Sequence, residues 1–278
     1  VALVAALAVV SLSAAAPQRV STTRSYHRII SLSPTVTEDL FAIGAGKQVI
    51  AVDQDSNYPA RAPHTSLSGY SPNSEAIAKY HPDLVLISYN PHNFASQMRK
   101  LGIKVVLLPA AKDLAQAYSE ILKLGTLTGH ARGAQRTVTW MQERLKAIVA
   151  SVPGSRRHLR VYHELDQTYY SATSKTFIGS IYKLFGFTNI ADAADTTGSG
   201  YPQLSGEYIV AQNPQIIVLA DTRCCGQNAA TVAGRPGWNG ISAVYRHRVV
   251  GVDDDIASRW GPRIVQFARR VAEIAKTG

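Results

Sequence analysis

The side chains with chemical potential in this chain are mostly ones that hold a ligand rather than react with it. Tyr58, Tyr70, Tyr169, Tyr170 and Tyr201 fall after short apolar runs or in turns. Each offers a broad rigid ring and a hydroxyl, which suits contact with a flat ligand. With 13 Tyr against 6 Phe, the aromatics lean towards wet surfaces. Loop packing is the competing reading, and it is weakest for Tyr70 and Tyr201, which occupy matched turns. Asp255 and Arg259 follow the last apolar run. They could pair with each other, or present an acceptor and a planar donor fork to a ligand. Arg223 and Arg263 could add donors.

Catalytic spacings are missing. There is no G-x-S-x-G elbow and no H-E-x-x-H, and the eight His are dispersed. No nucleophile assembles beside a base, so no catalytic residue is expected. Asp253-Asp254-Asp255 reads as a surface loop before it reads as a cation site, and no metal site is expected. Cys224 and Cys225 are the only cysteines and are adjacent. A vicinal disulfide, two thiols and direct contact with a ligand all remain open.

The elements that must position these groups have ample material. The chain has 278 residues, and 46% of them are hydrophobic, which is enough for one large core or two smaller ones and excludes a disordered chain. The net charge is +10, but the basic residues are scattered, with no run longer than two arginines. That argues against nucleic acid as a partner. Residues 1–17 show an apolar stretch followed by small residues, like the core and cleavage zone of a secretory signal. The stretch is too short to span a bilayer, and no Cys follows it for lipid attachment. Export to the periplasm or cell envelope is expected, with anchoring at the membrane left open.

A short apolar run over 28–33 reads as a buried strand, and those over 49–52, 84–88 and 105–108 read as further strands alternating with helices. Pro34 opens a helix that places Glu38 and Asp39 in its first turn, and Gly44 ends it. A helix over 113–128 has Asp113 as its cap. A longer one over 132–150 carries Val138, Met141, Leu145, Ile148 and Val149 on one face. A second series follows: a strand over 160–165, a helix near 177–185, strands over 216–220 and 249–252, and a closing helix from Pro262. The alternation predicts an α/β protein with parallel sheets.

The chain also repeats. Gly69-Tyr70-Ser71-Pro72 and Gly200-Tyr201-Pro202 each lead to a Glu, then a Pro, then an apolar strand. Glu75 and Glu207 are 132 residues apart, and so are Pro82 and Pro214. Two copies divided by a long helix predict two similar lobes with a ligand cleft between them. The expected division is a signal-like segment and tail over 1–27, a first lobe over 28–129, an interdomain helix over 130–152 and a second lobe over 153–278.

At this point the residues resemble a known family. R-I-I-S-L-S-P-T-V-T-E over 28–38, the Tyr58-Pro59 step, P-D-L-V-L-I over 82–87, L-G-I-K-V over 101–105, Y-P-Q-L-S over 201–205 and D-x-x-x-R-x-x-P-R from Asp255 to Arg263 are similar to the substrate-binding proteins of ABC importers for cobalamin, haem and ferric siderophores. The likeness is greatest to the cobalamin-binding members. It implies two lobes, each with a central parallel sheet flanked by helices, joined by one rigid helix. It also implies an aromatic cage of Tyr58, Tyr70, Tyr170 (or Tyr169) and Tyr201, with Asp255 and Arg259 as the polar pair. Tyr70 and Tyr201 stand where the family usually has Trp, and a tyrosinate can also ligate haem iron. Cys224-Cys225 is a second departure and is placed to touch the ligand.

The resemblance further implies that Glu75 and Glu207 dock one on each half of a permease served by an ATPase. The protein would then be a monomer with no resident cofactor, cobalamin being cargo, with haem or a ferric siderophore as the alternative. Two other classes are weighed: an exported α/β hydrolase, which would need a nucleophile with a His in reach, and an adhesion module using the same cleft.

Overall fold

The computed structural model describes residues 25–277, so the signal-like stretch lies outside the described residues. The first lobe runs β1 (Ile29–Leu32), α1 (Pro34–Ile43), β2 (Val49–Val52), α2 (Ser74–Ala78), β3 (Leu84–Ile87), α3 (Phe94–Lys100), β4 (Lys104–Leu107) and α4 (Leu114–Thr128). Helix α5 (Ala131–Ala150) follows. The second lobe runs β5 (Arg160–Glu164), α6 (Phe177–Leu184), β6 (Thr188–Asn189), α7 (Gly206–Gln212), β7 (Ile216–Leu219), α8 (Ala229–Ala233), α9 (Ser242–Tyr245), β8 (Val249–Gly251), α10 (Asp254–Ser258) and α11 (Ile264–Lys276).

Each lobe holds a four-stranded sheet, ordered β2-β1-β3-β4 and β6-β5-β7-β8, and every pairing is parallel. Strands β3 (LVLI) and β7 (IIVL) are buried along their whole length. Unbroken apolar runs of this kind belong to parallel sheets covered on both faces. The two strands start 132 residues apart and hold the same place in their sheets, so the sequence repeat is a repeat of topology.

Helix boundaries follow local chemistry. Pro34 occupies the first helical turn of α1, where its missing N–H costs nothing, and Gly44 ends the helix at φ 96°. With the start at Pro34, Glu38 and Asp39 fall in the second turn rather than the first, and both are buried. The helix dipole therefore does not explain them. Asp113 caps α4 by accepting from the Gln116 amide at 2.8 Å.

Helix α5 buries Gly133, Ala134, Val138, Met141 and Leu145 on one stripe. A Cβ added at Gly133 would lie 2.0 Å from the Ile43 carbonyl oxygen, so the glycine lets α5 meet the end of α1 directly. Helix α11 packs Val265, Phe267, Ala268 and Val271 into the same region. One continuous core thus includes Ile29 and Leu86 of the first sheet, Met141 of α5, and Ile216 and Phe267 of the second lobe.

Candidate functional site

The loops leaving the carboxyl ends of both sheets meet. Asn57, after β2, donates from Nδ2 to Asp255 Oδ2 at 2.7 Å, and Asp255 lies just after β8. This contact places the strand ends of the two lobes face to face, where α/β proteins bind ligands.

Asp255 and Arg259 do pair, at 2.7 Å. The rest of the Arg259 fork is spent across the lobe boundary. Its Nη1 donates to Glu38 Oε1 at 2.8 Å and to Asn57 Oδ1 at 2.9 Å, and its Nη2 donates to the Asp55 carbonyl at 3.1 Å. Arg263 grips the same carboxylate through Nε at 2.8 Å and Nη2 at 2.6 Å. Glu38 is buried beneath both guanidiniums. These residues latch one lobe to the other.

Five tyrosine rings that reach solvent lie in loops following strands: Tyr58 and Tyr70 after β2, Tyr89 after β3, Tyr170 after β5 and Tyr201 after β6. Tyr70 is 82% exposed and stacks beside Tyr89, with centroids 6.0 Å apart and planes inclined by 21°. Tyr58 lies over the Arg263 guanidinium at 4.5 Å. Partial burial pushes the Tyr201 phenol up. Tyr169 and Tyr170 part company. Tyr169, at φ 70°, stacks on Trp238 at 5.6 Å and covers Arg235 at 5.3 Å, so its ring packs into the second lobe. Tyr170 pairs with Gln203 by a single β-bridge and leaves its ring out.

The sequence reading missed Tyr89, whose signal was its place two residues past β3. It also missed Glu38, read only as a helix-start acid, and Asn57.

Cys224 and Cys225 are joined by a disulfide across one peptide, with Cα atoms 3.8 Å apart. Cys224 is exposed. The triple aspartate anchors this loop. The amides of Thr222, Arg223 and Cys224 donate to the Asp254 carboxylate at 2.9, 3.1 and 2.9 Å. Arg223 pairs with Asp253 at 3.1 Å and Asp255 at 3.6 Å. Asp253 also caps α10. Among the described residues no group of three or more His, Cys, Asp or Glu is arranged to hold a metal ion.

Beneath the loop, Arg235 forms two bonds of 2.6 Å to the buried Glu164 and lies 4.5 Å over Trp238. Asp221 sits beside this pair, fully buried, with no hydrogen-bond partner for either carboxylate oxygen. Burial first, and then the Glu164 charge, push its carboxyl up to about 7. Arg223, Arg235, Arg259 and Arg263 are thus each matched to a carboxylate. They do not gather as free cations.

Glu75 and Glu207 occupy the second positions of α2 and α7, both exposed. Each follows a cap: Asn73 Oδ1 accepts from the Ala76 amide at 2.9 Å, and Ser205 Oγ from the Tyr208 amide at 3.1 Å. The Glu207 backbone amide and Ser205 hold the Glu207 carboxyl below its ordinary value.

Known proteins share this architecture. An uncharacterized ABC transporter substrate-binding lipoprotein of Bacillus subtilis is 30% identical over 273 residues, covering 95% of this chain and 84% of its own. A cobalamin-binding protein of Halobacterium salinarum is 32% identical over 253 residues, covering 88% of this chain and 68% of its own. A crystal structure of a possible iron-binding (periplasmic solute-binding) protein from Staphylococcus epidermidis superposes with a TM-score of 0.78 at 27% identity, covering 91% of this chain and 100% of that one. The family model for periplasmic binding proteins matches residues 29–256. Two parallel-sheet lobes meeting at their strand ends, and a match over that span, make this chain a member of the periplasmic binding protein family.

Proposed function

We propose that this protein captures a corrinoid in the cleft between its lobes and delivers it to an ABC importer. The observation that carries the reading is the make-up of the cleft. Five exposed tyrosine rings sit on the loops beyond the strand ends and would line it, while Arg223, Arg235, Arg259 and Arg263 are each matched to a carboxylate. Such a surface favours a large, flat ligand of low net charge over a strongly anionic ferric complex. The relative from Halobacterium salinarum, named as cobalamin-binding, supports the same choice. Tyr58, Tyr70, Tyr89, Tyr170 and Tyr201 would hold the ring system, and the Cys224-Cys225 loop would close one side. Tyr169 would support Tyr170 from beneath, and Asp255 and Arg259 would act through the lobe latch.

A haem or ferric-siderophore ligand is the second reading. The Staphylococcus epidermidis neighbour and the ability of a phenolate to bind iron favour it.

Glu75 and Glu207 would dock the loaded protein on a permease coupled to an ATPase. Both are exposed carboxylates at the same place in their lobes, which suits basic partners on a two-part transporter. A cavity of about 810 Å³ opens beside Glu207 and adds room for a permease loop. The protein would work outside the cytoplasm as a monomer, with its ligand as cargo and no resident cofactor.

The test is titration of the purified chain with cyanocobalamin, haemin and a ferric siderophore, followed by intrinsic fluorescence. Saturable quenching by cyanocobalamin at micromolar concentration is expected. No response to it, with a response to haemin or the siderophore, would move the assignment to the second reading.

A further inference from the structure

The geometry points to a second, smaller binding site at the hinge, built for a single-ring aromatic carboxylate. A cavity of about 200 Å³ lies where the first lobe, α5 and the second lobe converge. Glu38, Phe41, Tyr58 and Arg61 line it from the first lobe, Trp140 from α5, and Arg263 and Gln266 from the second lobe. Drug-sized ligands occupy pockets of roughly 300 Å³ and above, so this one fits about one substituted ring.

Its three aromatic walls are not equally occupied. Arg61 already lies over Phe41 at 5.2 Å, and Arg263 over Tyr58 at 4.5 Å. Trp140 is 43% exposed and is the wall left open for stacking.

Charge selects the other half of the ligand. Arg259 and Arg263 share Glu38, and Arg259 also pairs with Asp255. Among the described residues no carboxylate lies within ion-pairing distance of Arg61. The surplus positive charge at the pocket therefore sits on Arg61. A guanidinium matches a carboxylate with two parallel hydrogen bonds. A planar anion stacked on Trp140, held by Arg61 and lying against Gln266 would touch all three parts of the molecule. Its binding would then be linked, reciprocally, to the arrangement of the lobes.

The probe is benzoate, titrated into the full chain and followed by tryptophan fluorescence and calorimetry. Saturable quenching with a Kd below about 1 mM is expected, a modest affinity for so few contacts. Benzamide, with the same shape and no charge, should bind at least about tenfold more weakly, and Arg61→Gln should weaken benzoate by a similar factor. Trp140→Phe should remove the quench while the calorimetric heat persists, because a smaller ring still stacks. Tyr58 borders both this pocket and the proposed corrinoid cleft, so the control is Tyr70→Ala: lying outside this pocket, it should leave benzoate binding unchanged, and a loss would place benzoate in the cleft and overturn the proposal. The proposal is overturned by no saturable signal up to about 10 mM benzoate. Equal binding of benzamide and benzoate, or an unaffected Arg61→Gln variant, would overturn it too.

Discussion

Asp221 shows what a single residue can set. Both of its carboxylate oxygens are buried without donors, and Glu164 stands beside it. Its folded-state pKa is about 7, against 3.8 for an ordinary Asp. Between those values the folded chain keeps a proton that the unfolded chain releases, so stability falls as pH rises through the window and is lowest above it. Asp221→Asn cannot ionise and keeps the shape. Its melting temperature should exceed that of the parent by several degrees at pH 8 and hardly at all at pH 4, measured by thermal denaturation at both. Legibility at this scale was uneven. Tyr70 and Tyr201 stood out because the repeat marks them twice. Tyr89 has no such twin, since the residue 132 positions later is Asp221. Asp255 and Arg259 showed their i, i+4 spacing, but the tie of Arg259 to Glu38, more than 200 positions earlier, has no local signature.

At the scale of elements, periodicity and caps carried the reading well. Strands β2, β3 and β7 and helix α5 lie within a residue or so of the apolar runs that predict them, because each is buried on the faces its pattern specifies. The two-residue strand β6 went unseen, since Thr188–Asn189 pairs with β5 over too short a span to leave a pattern. What patterns could not show is how closely helices approach. Gly133 is the case in point. In an exposed helix, Gly→Ala stabilises by roughly 1 kcal/mol. Here the new methyl would press on the backbone oxygen of Ile43, which cannot rotate away. Gly133→Ala should instead destabilise by about 1–3 kcal/mol, read from the urea midpoint. A stabilising result would mean that α1 and α5 can slide apart.

The whole molecule is governed by its lobe junction. A continuous core runs through α5 and α11, and Glu38 clamps two arginines of the other lobe. Removing one partner of a buried ion pair leaves stranded charge, at a cost of ~3 kcal/mol or more. Glu38→Gln should lower stability by that order in chemical denaturation and should widen the solution scattering envelope as the lobes separate. Unchanged scattering with lowered stability would show that the core alone sets the lobe arrangement. The two-lobe plan was legible from the 132-residue repeat and the long helix between its copies. The junction was not, because it is made by long-range pairs. Despite the net charge of +10, Arg223, Arg235, Arg259 and Arg263 leave little free positive charge, since each is matched to a carboxylate.

The duplicated lobes are twins in topology but not in furnishing. The first lobe's loops carry the stacked pair Tyr70 and Tyr89, and the second lobe's loops carry Tyr170, Tyr201 and the bonded cysteines. A cargo molecule with two different faces would therefore meet two different hosts. It could settle in only one polarity, and the transporter would always receive it the same way up.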